Sequence, residues 1–231
     1  MLPRDGCVGA RGHTRAMRTL LDLVLPVLCG GCGRPGTGWC GECAESLAGP
    51  PLRVRPRIDP GVPCWALSRY GGPARQAVLS AKERGRRDLA DPLGAALANG
   101  LARLCALDRP LVLIPAPSRS AAARRRGGDP VLRMARAAAR RLDPGCLGGC
   151  QVVPSLRLWW GVRDSAGLPA QRRRHNLQGR VIAAAIPRKP ANTQVVLVDD
   201  VLTTGTTATV SIHALSRVGT YVDGVLVSCA T

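Results

Sequence analysis

Phenylalanine is absent from the 231-residue chain, and two tyrosines and four tryptophans bring the aromatic share to only 3%. A platform of aromatics interleaved with basic residues, the usual surface for stacking single-stranded bases, is therefore not evident. Lysine occurs only at Lys82 and Lys189, so almost all the positive charge is arginine. Acids are scarce as well: 15 against 33 basic residues, a formal charge of +18. That balance ordinarily points to a polyanionic partner, but arginine in place of lysine, with abundant Ala, Gly and Pro, also matches the bias of a GC-rich coding sequence. The salt dependence of binding separates the two readings. No apolar run approaches the ~18 residues of a membrane span, so a cytoplasmic protein with no membrane span is expected. The glycine triplet of dinucleotide-binding folds and the GK[ST] of a Walker loop are both missing. No Ser/His/Asp or Cys/His set stands out, and His13, His175 and His213 have no partner that spacing identifies.

Against these absences, 45% of the residues are hydrophobic, enough for a full core. One main domain with a small appendage is expected. The ten cysteines fall into two groups. Cys29-Gly-Gly-Cys32 and Cys40-Gly-Glu-Cys43 make a paired CxxC pattern within fifteen residues. Each turn directs two thiolates at one point, and its glycine eases the tight backbone, which suits tetrahedral zinc. A redox reading, with one thioredoxin-like CxxC, does not explain two copies. Four thiolates fill the coordination sphere, so Zn2+ is expected as a structural staple, with Trp39 packed beside it. Cys7, Cys64, Cys105, Cys146, Cys150 and Cys229 show no repeated spacing and read as small buried hydrophobes or exposed thiols, not as a disulfide framework. Cys146 and Cys150 are at most a weak metal pair.

In chain order, residues 1–16 are basic and aperiodic, and Met17 opens a fresh start. They are expected to be a non-structural extension or a mis-assigned start. The apolar run from Leu20 to Leu28, with basic residues before it and Cys29 after it, admits a signal-peptide reading. Asp22 and Pro26 interrupt that run, and the small residues of a cleavage site are missing. Residues 17–48 form the four-cysteine piece. Residues 49–63 hold five prolines and read as a linker. Residues 64–231 form the main domain. There, Ala66 to Tyr70 reads as a strand and Ala74 to Arg84 as a helix, with Lys82 near its end as a solvated charge in preference to a phosphate ligand. Asp91 reads as the N-cap of a second helix whose Leu93, Leu97, Leu101 and Leu104 face inward. Leu111 to Ile114 is a strand running into Pro115-Ala116-Pro117-Ser118. A helix from Val131 to Leu142 follows, and eight arginines lie between residues 119 and 141 against the single acid Asp129. This is either a solvated face or a polyphosphate or nucleic-acid surface. Residues 157–179 are a long polar segment, Val181 to Ile186 reads as a strand, and the last strand, Tyr221 to Cys229, is expected to close the sheet after Gly219.

Val195 to Thr209 carries the most chemistry. A β-branched run fit for a parallel strand buried on both faces ends in Asp199-Asp200. Thr203-Thr204-Gly205-Thr206-Thr207 then leads into a helix. Such a loop lies where open α/β sheets bind ligands, with free helix N–H groups aimed at an anion. A receiver-domain aspartate pair belongs on the first strand, whereas only 31 residues follow Asp200. A haloacid-dehalogenase site needs aspartates at alternate positions. Two carboxylates beside a phosphate turn make sense if they accept ribose hydroxyls, or hold Mg2+ on a pyrophosphate.

VVLVDDVLTTGTTA resembles the phosphoribosyl-pyrophosphate (PRPP) motif of type I phosphoribosyltransferases. The paired CxxC, Tyr70 to Arg75, Lys82 before a glycine, Ile114 to Pro117, Arg125-Arg126-Gly127 and the late Arg/Asn segment together resemble the ComF family of competence-associated proteins, over about residues 17–231. The resemblance implies a type I phosphoribosyltransferase-like parallel sheet flanked by helices, an α/β fold. It implies ribose-hydroxyl roles for Asp199 and Asp200, a 5′-phosphate site at Thr203, Thr204, Gly205, Thr206 and Thr207, and a pyrophosphate loop at Pro115, Ala116, Pro117 and Ser118. Mg2+ accompanies PRPP, and Arg163 to Asn176 is similar to a segment that closes over substrate. Two functions follow: phosphoribosyl transfer to an unknown acceptor, or a non-catalytic DNA-uptake factor binding single-stranded DNA or a competence helicase. Arg126-Gly127-Gly128-Asp129 departs from the family's RGFN, lacking its aromatic and its amide.

Overall fold

The structure is a computed structural model, and it describes residues 26–118, 128–159, 181–186 and 190–231. The expectations for residues 1–16, for Arg119 and Arg124 to Gly127, and for Arg163 to Asn176 lie outside the described residues.

Eight strands and five α-helices are described: α1 (Gly41–Glu45), β1 (Leu52–Val54), β2 (Cys64–Arg69), α2 (Gly72–Lys82), α3 (Ala90–Leu104), β3 (Leu111–Pro115), α4 (Pro130–Leu142), β4 (Cys150–Val152), β5 (Leu156–Leu158), β6 (Val181–Ala183), β7 (Gln194–Leu202), α5 (Thr206–Ser216) and β8 (Gly224–Ala230). Six strands form one mixed sheet in the order β1-β2-β8-β7-β3-β4, while β5 and β6 pair separately. β2, β8, β7, β3 and β4 run parallel, and only β1 is antiparallel to its neighbour. Parallel strands are covered on both faces, which explains their unbroken apolar runs. All five residues of β3 and all seven of β8 are buried.

The two faces receive alternate residues of each strand. Val196 and Val198 of β7 pack with Leu97, Leu101, Met134 and Ala138 in the layer of α2, α3 and α4. Val195 and Leu197 pack on the other side with Ala208, Val210 and Leu215 of α5 and with Val181 of β6. Gly94 of α3 has no room for a side chain, because a Cβ there would lie 2.4 Å from that of Ala137. The two helices therefore cross in close contact. Asp129 caps α4 by accepting from the N–H groups of Val131 and Leu132, and Pro130 takes the first helical position, where no N–H is needed.

Three expectations change. The proline-rich stretch 49–63 contains β1, which pairs Leu52 with Ala66 and Val54 with Cys64. Proline is tolerated there because this is a sheet edge. α3 starts one residue before Asp91, after a 3-10 turn over Arg87–Leu89, and Asp91 accepts from Arg140 of α4 instead of capping. The final strand β8 lies inside the sheet, between β2 and β7. Of the scattered cysteines, Cys64, Cys146, Cys150 and Cys229 are buried, Cys105 is half-buried and Cys7 lies outside the described residues; burial pushes the Cys64 thiol up to about 11 and that of Cys229 to about 12.

Candidate functional site

β3 and β7 are neighbours in parallel register, with Pro115 opposite Val198. Their carboxyl ends therefore open side by side, and the N–H of Ala116 donates to the Val198 carbonyl at 2.8 Å. This places Pro115, Ala116, Pro117 and Ser118 next to Asp199 and Asp200. Ser118 closes its loop by donating to Asp129 at 2.6 Å. The α4 N-cap thus also anchors the loop.

Because Asp199 and Asp200 are adjacent on a strand, they follow opposite rows of side chains. Asp200 continues the row of Val196 and Val198, is 8% exposed, and meets Lys82 Nζ of α2 at 2.8 Å. Asp199 accepts from the Asp200 N–H at 2.8 Å. Desolvation, followed by the neighbouring Asp200, holds the Asp199 carboxyl well above the usual carboxylate range, with Lys82 opposing. Burial pulls the Lys82 ammonium down, but Asp200 and Asp199 outweigh it and leave Lys82 above the ordinary lysine value. Lys82 was read from the sequence as a solvated helix-end charge. It is instead the cation of this site, and its position one helical turn before Gly85 carries no trace of a partner 118 residues away.

Beyond β7 the chain turns through Thr203 to Gly205 into α5. Gly205 has φ 84, a left-handed conformation that strains any residue with a Cβ. An added Cβ would also lie 2.2 Å from the Ile58 carbonyl oxygen and 2.8 Å from Pro56. Residues 55–58 thus form a strap across the turn, fixed by the Ile58 N–H donating to the Thr204 carbonyl at 2.9 Å. Thr204 and Thr206 share a hydroxyl hydrogen bond of 2.9 Å, Thr206 is buried, and Thr207 is half-buried. Thr203 is exposed. Gly205→Ala is expected to lower the melting temperature by several degrees, since the φ alone costs about 1–2 kcal/mol and the carbonyl contact adds to it. Thermal unfolding followed by circular dichroism checks this, and an unchanged melting temperature would contradict the tight strap.

The second cluster is Cys29, Cys32, Cys40 and Cys43, whose sulfur atoms all lie within 4.8 Å of one another. Cys29 and Cys43 are 3.7 Å apart and Cys32 and Cys40 3.6 Å. A tetrahedral ion with bonds of about 2.3 Å separates its sulfurs by about 3.8 Å, so the four residues fit a metal ion. Gly31 is needed here, because a Cβ on it would lie 2.7 Å from Cys43 Sγ. Although burial opposes it, the N–H groups of Cys32, Gly31 and Cys40 bring the Cys29 thiol down to about 6. Burial and the neighbouring thiols push Cys43 up. Trp39 packs against the cluster as expected.

The cluster is bolted to the main domain at the corner after α2. Arg86 donates to the Leu28 carbonyl at 2.9 Å and to the Gly38 carbonyl at 3.4 Å while paired with Asp88 at 2.6 Å. Ser80 donates to the Gly30 carbonyl. Arg86 and Lys82 line one small cavity with Asp200 and Arg133. The described residues thus form a mixed α/β sheet flanked by helices, with a four-cysteine cluster able to bind metal at its amino-terminal side. No helix among them is long and apolar enough to cross a membrane. No protein-family model matches the chain, and no curated protein matches it.

Proposed function

We propose that this chain is a ComF-like protein with a type I phosphoribosyltransferase-like domain that binds PRPP with Mg2+ and transfers its phosphoribosyl group to a nitrogen acceptor. The observation that carries this reading is the meeting of the Asp199-Asp200 pair and its threonine turn with the Pro115–Ser118 loop on adjacent parallel strands. Thr203, Thr204, Thr206 and Thr207, with the N–H groups opening α5, suit a 5′-phosphate. Asp199 and Asp200 suit the two ribose hydroxyls, which are neutral donors that a carboxylate accepts without repulsion. The Pro115–Ser118 loop suits the pyrophosphate. Mg2+, when bound, neutralises the charge on the leaving pyrophosphate, and the carboxylates of Asp199 and Asp200 are the oxygen donors present for it. Zn2+ is the ion that suits the four thiolates.

The chemistry asks little covalent work of the chain. The bond from the anomeric carbon to the pyrophosphate oxygen breaks with its electron pair going to pyrophosphate, and an acceptor nitrogen supplies the pair for the new bond. The transition state is oxocarbenium-like, so the tasks are to hold the ribose, fix the leaving group and exclude water. No side-chain nucleophile is required. Calorimetry of the protein with PRPP and Mg2+ tests the reading: saturable heat is expected, and none would overturn it.

A second reading, a non-catalytic factor binding single-stranded DNA, is favoured by one observation: Arg136, Arg140 and Arg141 are exposed along α4. It predicts an affinity that falls steeply with salt, about 0.7 in log affinity per log salt for each phosphate contacted. A flat salt response in a fluorescence-anisotropy titration would remove it.

A further inference from the structure

On the side of β7 away from β3, the sheet ends in a second concavity. Leu202 at the end of β7 and Thr203 after it, Ala230 at the end of β8 and Thr231 after it, Ser68 and Arg69 of β2, and Leu52 to Pro56 along β1 and the strap line a groove of about 340 Å3. That volume falls in the ~300–1,000 Å3 range of small-molecule sites. The strand order sets β8, β2 and β1 on one side of β7 and β3 on the other. The groove and the Asp199/Pro115 site therefore flank the Thr203–Gly205 turn from opposite sides. Both lie at the carboxyl ends of parallel strands, where open α/β sheets take ligands.

The charged side chains of the lining are of one sign. Arg53, Arg55 and Arg69 line the groove and no acidic side chain does. All three are exposed, and none is in an ion pair among the described residues. Arg53 is held in place by Trp65, its guanidinium carbon 5.0 Å from the ring centroid. The walls are fixed as well: the strap is tied to Thr204, and the Thr231 N–H donates to the Leu202 carbonyl at 3.1 Å. The same groove is also lined by the apolar residues Leu52, Val54, Pro56, Leu202 and Ala230, and Leu52 is open to solvent at 42% exposure.

We infer that this groove is a second ligand site, for a small phosphate-bearing molecule of about nucleotide size. The guanidinium forks of Arg55 and Arg69 take the phosphate, because a planar pair of N–H donors matches phosphate oxygens. The apolar wall takes a ring. This site uses neither Asp199 nor Asp200 and stands whether or not PRPP binds at the first site.

Calorimetry with adenosine 5′-monophosphate tests it, with adenosine as the uncharged control. The nucleotide is expected to bind wild type and Asp199→Asn/Asp200→Asn with equal affinity, and Arg55→Ala/Arg69→Ala at least tenfold more weakly. Adenosine is expected to bind neither. If the alanine pair melts early, Arg55→Gln/Arg69→Gln, which keeps the side-chain length and removes the charge, gives the same readout. No heat with wild type at millimolar nucleotide overturns the site. So does equal binding by the arginine variants, and so does loss of binding in the aspartate variant, which would place the nucleotide at the first site.

Discussion

Replacing both Asp199 and Asp200 by asparagine is expected to weaken ligand binding, whereas replacing Asp199 alone is expected to stabilise the free protein. If the pair accepts the ribose hydroxyls, each lost charge-assisted hydrogen bond costs about 1.5–3 kcal/mol. PRPP affinity measured by calorimetry should then fall by about 100-fold or more. The ligand-free protein should nevertheless melt at a higher temperature when Asp199 alone becomes Asn. Burial and Asp200 hold its carboxyl well above the ordinary value, so the folded chain binds a proton that the unfolded chain releases. Stability of the free protein therefore falls as pH rises through the carboxylate range and up to the raised value. Asparagine, which cannot ionise, removes that slope. Chemical denaturation of wild type and Asp199→Asn at several pH values measures it. Equal pH slopes would show that Asp199 titrates normally, and unchanged PRPP binding in the double variant would remove the ribose assignment.

If the four-cysteine cluster holds zinc as proposed, its removal is the other large perturbation. Structural zinc contributes about 10–16 kcal/mol of binding free energy in small zinc-binding peptides, and the segment around Cys29 to Cys43 has little core of its own. A chelator, or Cys40→Ser, is expected to unfold this segment and, through it, loosen the end of α2. Arg86 would lose the Leu28 and Gly38 carbonyls that orient it, and Ser80 would lose Gly30. Amide hydrogen exchange should rise across residues 72–89 while β7 and β8 stay protected. PRPP affinity should weaken by about threefold to tenfold through Lys82, a coupling of roughly 1 kcal/mol. Metal analysis of freshly purified protein finding no zinc would refute the ion assignment. Unchanged exchange in α2 on metal removal would refute the coupling.

These two experiments divide along a line already present in what the sequence disclosed. Val195 to Thr209 was legible because a buried parallel strand, a polar turn and a helix are each written in contiguous residues, and the CxxC pairs were legible because spacing alone makes the turns. The stripes of α3 and α4 were legible for the same reason: periodicity is local. What escaped were pairings across the chain. Nothing near Lys82 announces Asp200, and nothing near Arg86 announces two carbonyl groups of the cysteine knuckle. The prolines of 49–63 argued for a linker because proline disfavours strands in general, but an edge strand tolerates it. Asp91 resembled a cap by its proline neighbour, and the turn at Arg87–Leu89 had already started the helix.

β1 has a consequence for solubility as well as for the turn it leads into. It covers the open edge of β2, whose Cys64, Ala66 and Leu67 are buried, with a short strand that carries Arg53 and is followed by Arg55 and Pro56. Short, charged, proline-flanked edges are the means by which β-sheet proteins avoid pairing with one another. A chain shortened to begin at Cys64 would expose the backbone donors and acceptors of an apolar strand. Its expected fate is edge-to-edge association, so the smallest well-behaved version of this domain begins before Leu52.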